Sequence, residues 1–600
     1  MRFERAAVFL FLWAGSGHAQ ATWVHPGSDG KLVYKTDADG NRVMDFSSAG
    51  YGGGGVAIPT VPIKVTVHPS GGDDRAAIQN AIDQVAKAPM VAGFRGAVFL
   101  AAGTFHTSGP VDIAASGVVV RGAGAGKNGT IIASTGGSLF HMAGSGSRTL
   151  GPAANLADAY VPSGSQSANV ENASAFSVGD QILITKTVTA AWVAHVGMDK
   201  LYRDDANGVS VHQTWLAPGT KITTDRTIAA IDGKKLTFDA PITDNFDSKY
   251  LGSPVGTVSK YAYAGRISQC GIEDLKIVAP ADANSFVSVQ MDAALDCWAR
   301  NLVIQDGVGC FHVERYAKRI TVDSVVITHT VVSTDVARPA DFLCIGTQVL
   351  FNKCQSNGTG SWSWTTGSTG TGPMVVLNYR TTQNSGISPH ARWTTGILTD
   401  GGVMSDAPKG AAGISYRNRG IMGSGHGWTT GWSVAWNVTT PYFLVSNAPG
   451  SINWAIGGVG TKTSIDGDPD GIFDHFNSMV TPASLYLAQL QERLGAQAVK
   501  NIGYAAALTD ISAPRARLDP GPFQASLLGS TLSYTLSHAG SVVIGLYRTN
   551  GAALASSRVA ANAGENRADL ERLAGAHAPG LYFVNVSLEG GSRRFSLLLN

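Results

Sequence analysis

Between residues 65 and 140, short β-branched runs alternate with glycine-rich turns. GAVFL, GTFHTSGPVDI, GVVVRG and GTIIAS follow one another about every ten residues, a pattern that predicts short strands. From 265 to 460 the rhythm returns in RISQCGIEDLKIVA, CWARNLVIQD, RITVDSVVIT, QVLFNKCQSN, PMVVLNYRTTQ and WSVAWNVTT, and the runs close on Asn, Asp, Gly or Ser. A unit of about 20–30 residues lies in the range of stacked repeats, in which neighbours bury the apolar face that one unit cannot. The expected fold is all-β: a parallel solenoid over residues 65–499.

Helical spacing interrupts the strands at both ends. GDDRAAIQNAIDQVAKA puts Ile78, Ala81, Ile82 and Val85 on one face. Asp73 and Asp74 stand at its start as cap and dipole partners, which predicts a helix capping the open end of the stack. TPASLYLAQLQERLG, residues 481–495, predicts a second helix, with Thr481 as N-cap, Pro482 at the first position and Gly495 as the stop. Its Leu485, Leu487 and Leu490 would cover the solenoid.

Residues 165–250 break the repeat. VENASAFSVGDQILITK and TIAAIDGKKLTFDAPI read as two β-hairpins, the second turning at DGKK. They predict a small β insertion walling one side of a groove. Its Trp192, His195, Lys200, Tyr202, Arg203, His212 and Trp215 are candidates for sugar contact. Residues 20–64 form an N-terminal extension and 500–520 a linker holding Pro514 and Pro520. Residues 521–600 alternate with period 2 around TNG and EGG turns, as in a small β-sandwich.

Composition narrows the partners. Charged residues make up 15% of the chain and the formal net charge is +2. No Lys/Arg-rich run occurs, so nucleic acid is not an expected partner. Residues 1–19 combine Arg2 and Arg5 with an apolar Ala6–Ala14 stretch and small residues before Gln20, the pattern of a secretory leader. That stretch is too short to span a membrane, and no other long apolar run occurs. The chain is therefore expected to be secreted or at a cell surface. Cys270, Cys297, Cys310, Cys344 and Cys354 are odd in number and contain no C-x-x-C pair, so buried free thiols are expected.

The GDD-helix, GAVFLAAGTFHTSGPVDI and GVVVRGAGAG resemble the N-terminal part of the pectate-lyase superfamily of right-handed parallel β-helices. The resemblance spans about residues 45–500 and extends through HARWTTG and GSGHGW to SLYLAQLQERLG. It implies a polysaccharide lyase or hydrolase, or a tailspike-like binding solenoid, either monomeric or trimeric. The C-terminal GLYFVNV and final strand resemble sorting-type Ig-like domains of exported bacterial proteins.

Chemistry concentrates between Ser388 and Trp454, in SPHARWTTG, SYRNRGIMGSGHGW and INWAIGG. His390 with Arg392, and Arg417 with Arg419, repeat an i, i+2 spacing that puts both side chains of a pair on one face of a strand. If the coils stack in register, the four cationic groups converge. Gly425 and Gly427 frame His426 and free its backbone; GHG resembles an element of polygalacturonases, whose Asn-x-Asp and Asp-Asp pairs are missing from the corresponding coils here. β-Elimination needs a carboxylate clamp, a base and an acid. Arg392, Arg417 and Arg419 suit the clamp, and His390 and His426 the proton transfers. The expected substrate is an acidic polysaccharide, with Asn418, Trp393, Trp428, Asn453 and Trp454 as binding residues. A hydrolase or glycan transferase would instead use Asp400 or Asp406. DGDPDGIFD resembles a partial calcium loop, in which Asp466, Asp468 and Asp470 would hold Ca2+.

Overall fold

The structure is a computed structural model. It describes residues 19–505 apart from 136–137, 281–286, 332–339, 359–361, 384 and 406–412, together with most of 523–599. The leader falls almost wholly outside the described residues. The chain forms two compact units that divide near residue 509.

The first unit is a parallel β-helix. One column of paired residues climbs its first sheet: Ile63, Ala97, Val119, Gly271, Trp298, Thr321, Leu350, Val375, Leu398, Val434, Trp454 and Ile472. The second sheet carries Phe105, Ile132, Ile277, Ile304, Ile327, Ser356, Thr381 and Met404 in register. In the third, Val111, Phe140, Val289, Phe311, Phe342, Trp364, Ile387, Ile414 and Phe443 stack inward, all fully buried. Each coil leaves its backbone groups to the coils above and below, so the stack is cooperative in both hydrogen bonding and apolar burial.

The helix Arg75–Ala86 closes the N-terminal end, and Ile78, Ala81, Ile82 and Val85 join the interior core as expected. The first sheet is apolar on its outer side as well. There Leu350, Val375, Leu377, Leu398, Val434, Trp436 and Trp454 are covered by Trp23, Met44, Phe46 and Ala49 of the N-terminal extension and by the helix Leu485–Leu494. That helix starts later than the sequence suggests. Its N-cap is Ser484, whose hydroxyl accepts from Leu487 N, and not Thr481. All five cysteines are buried and free.

The insertion leaves the β-helix at the turn between the third and first sheets. It forms a six-stranded sheet in the order Thr149–Asn155, Thr257–Ala262, Gln181–Thr187, Lys221–Asp232, Lys235–Phe238, Ser167–Asn169. The DGKK hairpin is present. The first expected hairpin is not: Gln181–Thr187 pairs with Lys221–Asp232 and Thr257–Ala262, so its partners are distant in sequence. Buried Arg226 ties the insertion to the β-helix by donating to Gly372 O at 2.7 Å. Asp225 draws in Lys318, Arg148 and Arg266, and their charges outweigh burial to hold its carboxyl far below the usual range. The second unit contains a three-stranded and a four-stranded antiparallel sheet that share one core around Leu532, Tyr534, Ile544, Leu546 and Val584.

Candidate functional site

Two successive coils carry the site. Ile387 and Ile414 pair inside the third sheet, and the chain beyond each runs onto the turn toward the first sheet. The strand Ile414–Tyr416 ends before Arg417, so the two arginines do not lie on a strand as their spacing suggests. They flank Asn418, which bridges to Trp428 across the loop; Arg419 N donates to Gly427 O and Thr429 N to Arg417 O.

Of the expected residues, His390, His426, Arg392 and Arg419 come together. The rings of His390 and His426 lie 4.6 Å apart between centroids. Arg419 donates from Nη1 to His390 O at 2.9 Å and lies over the Trp362 ring at 5.1 Å. Trp362 also meets His390 edge-on at 5.2 Å. Arg392 donates from Nη2 to the carbonyl and hydroxyl oxygens of Ser424, at 2.6 and 2.8 Å. Arg392 and Trp393 both take left-handed backbone, φ 51° and 66°. Such consecutive non-glycine residues carry strain that the surrounding packing must hold.

Electrostatics follow from burial among like charges. Burial first, and then Arg419 and Arg392, push His390 down to about 4. Burial, Arg419, His390 and Arg392 push His426 down to about 4 as well. Both rings are therefore neutral at pH 7. Burial and then the neighbouring Arg417 lower Arg419 to about 10. Among the described residues, none of Arg392, Arg417 and Arg419 forms an ion pair. Their three Nε atoms and Nδ1 of His426 are buried without a hydrogen-bond partner among those residues. An unmet buried polar atom costs about 1–3 kcal/mol, so this corner of the fold is held at an energetic cost.

The insertion walls this rim. Arg203 donates to Gly423 O, Trp215 Nε1 to Trp428 O at 3.2 Å, and Trp428 Nε1 to Val196 O at 2.9 Å. Glycine is required in GSGHGW. A Cβ at Gly423 would strike the His426 ring, at Gly425 the Gln213 Cβ, and at Gly427 the Trp215 ring.

Several expected binding residues lie elsewhere. Trp393 is buried and donates from Nε1 to Asp244 Oδ2 at 2.8 Å. With Trp428, Trp192 and Trp215 it forms the apolar seam between insertion and β-helix. Trp454 lies fully buried under the N-terminal extension, edge-on to Trp23. Asn453 is wholly buried, donating to Thr430 O and Ser446 O and accepting from Ser433 N. Asn418 spends its side chain on Asp468 and on Gly420 N. Trp393, Trp428 and Trp454 are buried because the insertion and the extension cover faces that a bare solenoid would expose.

Asp466, Asp468 and Asp470 hold their carboxylates apart. Asp468 accepts from Asn418 and Asp470 from Lys462 and Ser464, and among the described residues their carboxylates form no close cluster. Asp400 is fully buried. Its Oδ2 accepts from Ser484 Oγ and Tyr486 N, both at 2.7 Å, so it anchors the start of the covering helix. Asp406 lies outside the described residues. His195 stacks on Tyr250 at 3.7 Å and lines a separate cleft of about 480 Å³ between the extension, the insertion and Gly450. Sequence reasoning missed Trp362 as the aromatic of the site; nothing local separates it from core Trp364 two residues on.

No protein-family model and no curated protein matches the chain. Among solved structures it is similar to the Gp54 tailspike of Acinetobacter baumannii bacteriophage AP22 in complex with an A. baumannii capsular saccharide. Identity is 11%, coverage 80% of this chain and 84% of that one, and TM-score 0.26. It is also similar to the tailspike protein gp49 from Pseudomonas phage LKA1, with 12% identity, 67% and 70% coverage and TM-score 0.28. A tailspike mutant of E. coli bacteriophage HK620 in complex with a pentasaccharide gives 10% identity, 68% and 62% coverage and TM-score 0.36. The parallel β-helix stands on the strand pairing given above and not on these likenesses.

Proposed function

We propose that the β-helix binds an acidic polysaccharide along the rim of Arg392, Arg417, Arg419, His390 and His426, and cleaves it by β-elimination. The observation that carries this reading is the gathering of three arginines around two histidines with, among the described residues, no ion pair to any of the three. A uronate would supply the missing negative charge, and a planar guanidinium suits a carboxylate through two parallel hydrogen bonds. Trp362, held between Arg419 and His390, would stack on a sugar ring.

In the reaction, the guanidinium groups neutralise the uronate carboxylate and make the C5 proton acidic. A neutral imidazole takes that proton. The C5 electron pair forms the C4–C5 double bond and the C4–O bond breaks. The departing oxygen receives the proton from the imidazolium just formed, which returns the ring to its neutral state. Charge from the bound uronate offsets the arginines, so each imidazole becomes a better base when substrate is present. The chain would act outside the cell, with the C-terminal unit as its sorting module.

A second reading is a glycan-binding solenoid without catalysis. It is favoured by the low basicity of both free imidazoles, since general bases work best with a pKa near the operating pH. The hydrolase reading loses Asp400 to its role beneath the covering helix.

The test is incubation of the full chain with pectins, alginate, glucuronans, glycosaminoglycans and fucoidans, following ultraviolet absorbance from the unsaturated uronate and reducing ends in parallel. Both signals should rise with one polymer and vanish in His390→Ala or His426→Ala. Reducing ends without absorbance would refute elimination. Binding without either signal would leave the solenoid as a receptor.

A further inference from the structure

Inside the β-helix, three metal-ligating side chains meet. Cys310 and Asp341 occupy the same position on successive coils, each preceding a residue of the inward Phe311–Phe342 pair. His329 follows the strand Val326–Thr328 and reaches the same point from the neighbouring corner. His329 Nε2 lies 2.7 Å from Asp341 Oδ1, and Cys310 Sγ lies 3.9 Å from that same oxygen. The three donor atoms all fall within 4.8 Å of one another. Ser356, wholly buried, donates to the other oxygen of Asp341.

We infer that Cys310, His329 and Asp341 bind a divalent transition metal of the zinc type. Zinc bonds of about 2.0–2.3 Å at tetrahedral angles place donor atoms ~3.3–3.6 Å apart. The observed separations of 2.7 and 3.9 Å straddle that range, so small side-chain shifts suffice. Sulfur, imidazole and carboxylate together select a borderline-soft ion over calcium or magnesium, which take oxygen ligands. The hydroxyl of Ser356 orients the carboxylate, the usual task of a residue behind a metal ligand. Three of the four other interior thiols behave differently: Cys270, Cys297 and Cys354 donate to backbone carbonyls. Cys310 instead faces a carboxylate and a histidine. Metal binding releases the thiol proton and ties two coils to the adjacent corner.

The experiment uses the full chain, stripped with chelator and titrated with Co2+. One equivalent should bind with an intense near-ultraviolet thiolate-to-cobalt band and tetrahedral visible bands. Zn2+ should bleach both and raise the Tm. Cys310→Ser should lose the thiolate band, and Asp341→Asn should weaken binding at least tenfold. Cys344→Ser, a buried thiol outside the cluster, should keep the band. A wild-type chain with no thiolate band, or a band that survives in Cys310→Ser, overturns the assignment without any need for the other variants to fold.

Discussion

The imidazoles of His390 and His426 face each other at 4.6 Å although they belong to successive coils. Two rings at that distance, beside Arg392 and Arg419, cannot both carry a proton cheaply. The site is therefore poised for an anion: it is short of negative charge, and its histidines stay neutral until negative charge arrives.

Acidification should weaken the fold through these two residues. Their folded values of about 4 lie below the ordinary 6.5. Between those limits the unfolded chain holds protons that the folded chain does not, so stability present above about pH 6.5 is lost as pH falls through 4. Urea midpoints at pH 7.5 and 4.5 should differ more for the wild type than for a His390→Asn/His426→Asn double variant. Parallel losses in the two proteins would place the sensitivity elsewhere.

Binding of an acidic glycan near pH 5 should draw protons into the protein. The ligand charge offsets Arg419 and Arg392 and raises both imidazoles toward the working pH. Calorimetry in buffers of different ionisation enthalpy should show net proton uptake, and uptake should vanish in the double histidine variant.

Arg419→Lys should weaken acidic glycan binding by ten-fold or more, in keeping with ~1.5–3 kcal/mol for a charge-assisted hydrogen bond. Lysine keeps the charge but loses the planar fork held over Trp362. Wild-type affinity should also fall as salt rises. Equal affinity for a neutral glucan would sink the anionic reading.

Gly427→Ala should loosen the wall of the site. This residue has φ 53°, and a Cβ there would lie 2.5 Å from Trp215 Cδ1 and 2.6 Å from Met198 Sδ. Stability should drop by about 1–3 kcal/mol, together with glycan turnover or binding. Gly72→Ala, which meets only Ser70 Oγ at 3.8 Å, is the control and should change neither.

Asp400→Ala should cost stability and spare activity. It removes the acceptor for Ser484 Oγ and Tyr486 N, worth about 1–3 kcal/mol at a buried position. A Tm fall with unchanged kcat fits an anchor for the covering helix. A kcat collapse at unchanged Tm would return Asp400 to the chemistry.

Local pattern was enough to read much of this molecule. The β-branched runs and their turns specify short strands that must stack. The spacing of Ile78, Ala81, Ile82 and Val85 specifies the capping helix. The repeated i, i+2 spacing of His390 with Arg392 and Arg417 with Arg419 pointed to the rim, because residues at one place in successive coils come together once the coils are in register. Depth was not legible. Trp393, Trp428 and Trp454 look like sugar platforms in sequence, yet the insertion and the N-terminal extension bury them. Trp362 meets His390 for reasons no local pattern carries. Asp400 became an anchor only because the helix Leu485–Leu494 returns over the first sheet. The pairing of Gln181–Thr187 with strands far along the chain was equally hidden. Periodicity is set by neighbours along the chain, so the sequence determined the solenoid and the address of its charged turn. Burial and pairing are set by segments distant in sequence, so only the tertiary structure decided which of those residues meet solvent, a ligand or one another.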